Sequence, residues 1–97
     1  MYYFYVLYSL KDGKLYKGYS SNIGDRFIKH QGGGTSSTKN RRPLIMIYAE
    51  SFSNKSEALA RERWAKSLEG GPQLIKILME KKILTAERTL NLNSSAD

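Results

Sequence analysis

Ninety-seven residues with 16 Lys and Arg against 9 Asp and Glu, a net charge of +7, make one small basic domain with a modest core. The absence of cysteine excludes disulfides, cysteine-ligated zinc, iron–sulfur clusters and thiol nucleophiles, and the single histidine, His30, excludes a multi-histidine metal site. No apolar run reaches the roughly 20 residues that span a bilayer, so the chain reads as cytoplasmic, with a polyanion as its expected partner, nucleic acid before an anionic membrane.

Tyr2 to Tyr8 is aromatic and β-branched without polar alternation, which predicts a strand covered on both faces. Asp12-Gly13 has the spacing of a two-residue hairpin turn with both central residues at positive φ. Leu15 to Ser20 then returns with Leu7 opposite Gly18 and Tyr5 opposite Ser20. In that register Tyr5, Leu7, Tyr16 and Gly18 share a face, and Tyr5 and Tyr16 lie about 13 Å apart along the strands. Asn22 caps a helix running to Gln31, with Asp25 in its first turn and Ile23 and Phe27 as its apolar stripe. Gly32-Gly33-Gly34 ends that helix, and a polar loop continues through Arg42.

Leu44 to Ala49 reads as a third, largely buried strand. Asn54-Lys55-Ser56-Glu57 opens a helix expected to end near Leu68. Gly70-Gly71 should close it, and Pro72 should start a last helix over Gln73 to Lys82, with Leu74, Ile75 and Leu78 inward. The order β-β-α-β-α-α gives an α+β fold, a small three-stranded antiparallel sheet with flanking helices. Residues 1–90 form a single domain, and 91–97 are expected to be a disordered tail.

Three features sit badly with a plain core. On a helical wheel Glu62 falls within the inward stripe of Ala58, Leu59, Ala65 and Leu68, so its carboxylate needs either a cation or a slight roll of the helix that pairs it with Lys66. Tyr5 and Tyr16 share a face with Gly18, which has no side chain and leaves room for a ligand. Arg26 and His30 stand one turn apart, a guanidinium suited to phosphate beside an imidazole that can move a proton. The bland readings are a half-buried tyrosine strand and a solvated helix face.

In this order the motifs resemble the GIY-YIG nuclease superfamily, in particular its short single-domain members related to the nuclease domain of the excision-repair incision subunit. The first motif matches as Tyr3-Phe4-Tyr5 and the second as Tyr16-Lys17-Gly18. The helix motif Arg-x-x-x-His matches Arg26 to His30, and the stretch from Asn54 to Arg63 matches the helix that bears the family's metal-binding glutamate, here Glu62. The resemblance spans about residues 2–84. It implies a metal-dependent endonuclease acting on nucleic acid, DNA first, that leaves a 5′-phosphate and a 3′-hydroxyl, with a DNA-repair setting.

Under that resemblance Glu62 would hold one Mg²⁺ or Mn²⁺, a hard and largely hydrated cation. Arg26 would neutralise a non-bridging oxygen, and Tyr5, Tyr16 and His30 would orient and deprotonate water, helped by Lys17 or Arg26 lowering a tyrosine pKa. Lys17, Lys39, Arg41 and Arg42 are the expected nucleic-acid contacts. The alternative is a nucleic-acid-binding module of the same fold without turnover. With no appended recognition module in the sequence, specificity would come from nucleic-acid shape, a targeting protein partner or the Gly32–Arg42 loop.

Overall fold

The computed structural model describes residues 1–35 and 38–91. β1 (Tyr2–Ser9) is the central strand, flanked by β2 (Leu15–Ser20) and β3 (Leu44–Phe52) in the order β2-β1-β3, both antiparallel to it. Helix α1 (Ile23–Gln31) lies on one face, and α2 (Lys55–Lys66) and α3 (Gly70–Glu80) on the other. The expected antiparallel α+β order is the observed one.

The run Phe4 to Ser9 is buried throughout because each face of β1 has its own cover. Phe4, Val6 and Tyr8 pack with Ala65, Leu74, Leu78 and Leu84 under the helix pair. Tyr5 and Leu7 pack with Leu44, Tyr16, Ile23, Phe27 and Met46 under α1. Burial of these apolar groups supplies the main driving force for the sheet, at roughly 25 cal/mol per Å² removed from water.

The hairpin differs from expectation. Tyr5 pairs with Gly18 and Leu7 with Tyr16, a register two residues away from the predicted one. The connection is longer because the buried Ser9 organises it. Ser9 Oγ accepts the Lys11 and Asp12 amides, and Gly13 N donates to the Ser9 carbonyl. Within the turn only Gly13 takes a positive φ, +71°. A two-residue slip preserves the faces but halves the axial separation of Tyr5 and Tyr16, to about 7 Å.

Other corrections concern ends. α2 stops at Lys66 with Ser67 as its C-cap, so Leu68 lies outside the helix and is 98% exposed instead of inward. Gly70 and Gly71 belong to the first turn of α3, with Pro72 third. A Cβ at Gly70 would fall 1.7 Å from the Trp64 carbonyl oxygen, so close approach rather than chain reversal explains the glycine. β3 runs on to Phe52 and is a half-exposed edge strand, not a largely buried one. Asn91, expected in the tail, is tied to Ile83 O through its amide and to Lys82 O through its side chain. Residues 92–97 of that expected tail lie outside the described residues.

Candidate active site

The site forms where the edge strand β2 has no side chain. Tyr5, 4% exposed, lays its ring across Gly18, and a Cβ there would sit 2.5 Å from the Tyr5 hydroxyl and 2.6 Å from Cζ. Real Cβ atoms do not approach so closely, so Gly18 is the condition for Tyr5 to reach past the strand edge. Tyr5 starts from the α1 face and Glu62 from the α2 face. A cavity of about 220 Å³ wraps the edge between them, touching Lys17, Gly18 and Tyr19 in succession. Tyr5, Arg26, His30, Thr35 and Glu62 complete its lining.

Local sequence fixes α1 against this cavity. Asn22 Oδ1 accepts the Asp25 amide as the N-cap, while Ile23 and Phe27 anchor the helix to the sheet. The neighbouring stripe then carries Arg26 and His30 into the cavity. His30 is 6% exposed and bridges two groups, Nε2 to the Tyr5 hydroxyl at 3.1 Å and Nδ1 to Thr38 Oγ1 at 2.7 Å. The two rings meet edge to face with centroids 6.0 Å apart. Burial, then the nearby Arg26 and Lys29, hold the His30 pKa below its usual value of 6.5, so the ring is neutral at pH 7. A neutral imidazole donates from one nitrogen and accepts at the other.

Burial raises the Tyr5 pKa; Arg26 opposes this and the Glu62 carboxylate adds to it. Arg26 thus acts on Tyr5 as expected. Lys17 is not among the groups that shift it, and the net direction is opposite to the expected lowering. Lys17 itself is brought below the ordinary lysine value by burial and then by Lys66.

Glu62 is partly both of its predicted alternatives. Its side chain is 16% exposed and faces the cavity, and it also pairs with Lys66 Nζ at 3.4 Å along α2. Asn54 Oδ1 caps that helix at the Glu57 amide, fixing where the turn bearing Glu62 falls. The donor set suits a hydrated divalent cation. One carboxylate is available, and the buried hydroxyl of Thr35, which lines the same cavity, has no hydrogen-bond partner among the described residues. Among those residues no group of three or more acidic or histidine ligands comes together, so Glu62 is the one anionic ligand in this lining.

Tyr16 stands one cavity further along, in a space of about 290 Å³ shared with Tyr5, Lys17, His30, Thr38 and Lys66. Its hydroxyl accepts from Arg41 Nε at 3.0 Å and donates to Asp12 Oδ2 at 3.4 Å, with Arg41 Nε 3.1 Å from the same carboxylate. Arg41 is therefore partly neutralised beside the site. Arg42 donates to the carbonyls of Lys39 and Gln31 and lies against Gly33, holding the loop to the end of α1. Lys39 is exposed. Thr38 and Lys66 are site residues that sequence reasoning missed. Thr38 gave no signal within a Ser/Thr-rich loop, whereas Lys66 was visible only as a helical neighbour of Glu62.

The model of the GIY-YIG catalytic domain matches residues 1–72. A UPF0213 protein of Staphylococcus haemolyticus is 40% identical over 80 residues, 81% of this chain and 95% of the relative. One from Staphylococcus saprophyticus is 51% identical over 61 residues, covering 62% and 73%. The solution NMR structure of a UPF0213 protein from Bacillus halodurans superposes with a TM-score of 0.50 at 33% identity, over 79% of this chain and 85% of that one. With Tyr5, Gly18, Arg26, His30 and Glu62 gathered at one sheet edge and the family match spanning most of the chain, this protein belongs to the GIY-YIG catalytic-domain family, a family of nucleases.

Proposed function

We propose that the chain is a divalent-metal-dependent endonuclease that hydrolyses nucleic-acid phosphodiester bonds, DNA first, to a 5′-phosphate and a 3′-hydroxyl. The observation that carries this reading is the single cavity lined by Tyr5, Arg26, His30 and Glu62, with Tyr5 already hydrogen-bonded to His30. Glu62 would hold one Mg²⁺ or Mn²⁺, displacing Lys66. Bound there, the ion supplies positive charge for the scissile phosphate and the leaving 3′-oxygen.

The chain's own groups handle the phosphate and the proton. Arg26 has no ion-pair partner among the described residues and is left to meet a non-bridging oxygen. The raised pKa of Tyr5 argues against a standing phenolate. Tyr5 instead passes its proton to neutral His30 Nε2 as it accepts one from the attacking water, with Nδ1–H held by Thr38 Oγ1. The imidazolium so formed faces Arg26 and Lys29, which favour prompt loss of the proton. Tyr16 shapes the adjoining wall through Arg41 and Asp12.

The test is cleavage of supercoiled plasmid and labelled duplex with Mg²⁺, abolished by EDTA, with the termini identified by ligation. Glu62→Gln should reduce cleavage by at least about 10²-fold and remove any Mg²⁺-induced rise in Tm, while costing only about 0.3–0.5 kcal/mol without metal through the lost Lys66 pair. Wild-type cleavage by this variant at limiting Mg²⁺ would remove Glu62 from the chemistry. Metal-insensitive binding without cutting by the wild type would leave a nucleic-acid-binding module.

A further inference from the structure

A third cavity, about 290 Å³, opens beside the hairpin turn, and nothing in the catalytic arrangement uses it. Its floor is apolar, formed by Leu15, Ile75 and Leu84, and its rim carries Lys14, Lys17 and Arg88. No acidic residue lines it. Among the described residues the ion pairs are Arg41–Asp12, Arg61–Glu50 and Lys66–Glu62, so all three rim cations are without an acidic partner.

Two further observations point to a ligand. Lys17 lines this cavity and both cavities of the catalytic cleft, and Leu15 lines this one and the Tyr16 cavity, so the three adjoin one another along β2. Arg88 holds a left-handed backbone, φ +65°, in the turn between Leu84 and Leu90, a conformation that glycine or asparagine would adopt at lower cost. Ile75, Leu84 and Arg88 also lie beyond residue 72, where the family match ends.

We propose that this cavity is a subsite for an unpaired nucleotide flanking the cleaved bond, its base against Leu15, Ile75 and Leu84 and its phosphates at Lys14 and Arg88. The proposal rests on the nucleic-acid reading of the adjoining cleft. An apolar floor beneath a cationic rim matches a nucleotide, which offers an uncharged flat base and an anionic backbone. A paired base would keep its face stacked in the duplex and could not enter. The subsite therefore favours ends, flaps and single strands over continuous duplex.

The test uses the full chain in EDTA, with fluorescence anisotropy on two- and eight-nucleotide single strands of DNA and of RNA. The eight-mers should bind at least tenfold more tightly than the two-mers. The double variant Lys14→Ala/Arg88→Gly should erase most of that gain and lower the salt slope by about one to one and a half. Glycine suits the backbone at position 88, so Tm should equal or exceed that of wild type and lost binding would not reflect unfolding. An abasic nucleotide scanned along the eight-mer should weaken binding about threefold or more at one position.

An eight-mer bound no better than a two-mer, an unchanged slope, or indifference to every abasic position would overturn the subsite. Metal-dependent cleavage alongside any of those results would leave the nuclease reading standing. Length-dependent binding that needs Lys14 and Arg88, in a chain that does not cut, would keep the subsite and sink the nuclease reading.

Discussion

Tyr5 owes its role to what surrounds it rather than to its own chemistry, because a phenol with a raised pKa is a poor base alone. Its place depends on Gly18 beneath the ring and His30 beyond the hydroxyl. Tyr5→Phe removes only that hydroxyl, so stability should fall by about 0.5–1.5 kcal/mol while kcat falls by roughly 10²–10⁴. Gly18→Ala should reproduce the kinetic loss with every catalytic side chain retained, since the new Cβ must push Tyr5 from His30. Overpacking should cost about 1–3 kcal/mol, read by denaturant melts. His30 offers a direct check, being the sole histidine and so a single imidazole signal in NMR. It should titrate below 6.5, and Arg26→Ala should move it back only part of the way, because burial is the larger cause. With the folded pKa depressed, His30's contribution to stability is complete above about 6.5 and is lost as pH falls through the folded value. A midpoint above 6.5 would contradict the neutral ring on which the proton route depends.

At the scale of elements, α2 matters because it carries Glu62, and its seat is fixed on the side away from the cleft. Arg61 spans from α2 to β3, donating to both oxygens of Glu50, while its guanidinium lies 4.0 Å from the Trp64 ring centroid. Tyr48 donates to the same carboxylate. Burial pushes the Glu50 pKa up, but the bonds from Arg61 and Tyr48 outweigh it and leave the pKa below the ordinary 4.5. This stabilisation is present above about pH 4.5 and disappears as pH falls through the lower folded value. Wild type should therefore lose Tm on acidification more steeply than Glu50→Gln, which should cost about 1–3 kcal/mol at pH 7. Parallel acid limbs would show that the clasp is not a seat for α2. Capping of this kind was legible in advance at Asn22 and Asn54, because a side chain bonding an amide three residues on is local chemistry. The turn length was not, since Ser9 is an ordinary strand residue until its hydroxyl is buried against Leu10–Asp12. Nor was the outward turn of Leu68, where two residues beyond the end of α2 reversed its environment. Glu62 was legible as an anomaly, but its cavity is assembled from β1, β2, α1 and α2 together, which no local stretch of sequence displays.

For the whole molecule, +7 is less informative than where the positive charge is unpaired. From the sequence, the nucleic-acid contacts are expected at Lys17 and at the loop residues Lys39, Arg41 and Arg42. In the folded chain Arg41 is paired with Asp12, and Arg42 has its donors on the carbonyls of Lys39 and Gln31. The cations without acidic partners along the β2 edge are Lys14, Lys17, Arg26 and Arg88, drawn from three separate stretches of chain. Counterion release scales with phosphates neutralised, about 0.9 in slope for each on duplex DNA. Removing Arg41 takes away a charge that Asp12 already offsets, so the triple alanine variant of Lys39, Arg41 and Arg42 should lower the slope of log K against log salt by only about one to two. Lys17→Ala alone should lower it by about one and also weaken cleavage, because that single side chain borders all three cavities. Measured from 50 to 200 mM salt on one duplex, a loss of three units in the loop variant with none in Lys17→Ala would move the binding track from the β2 edge to the loop.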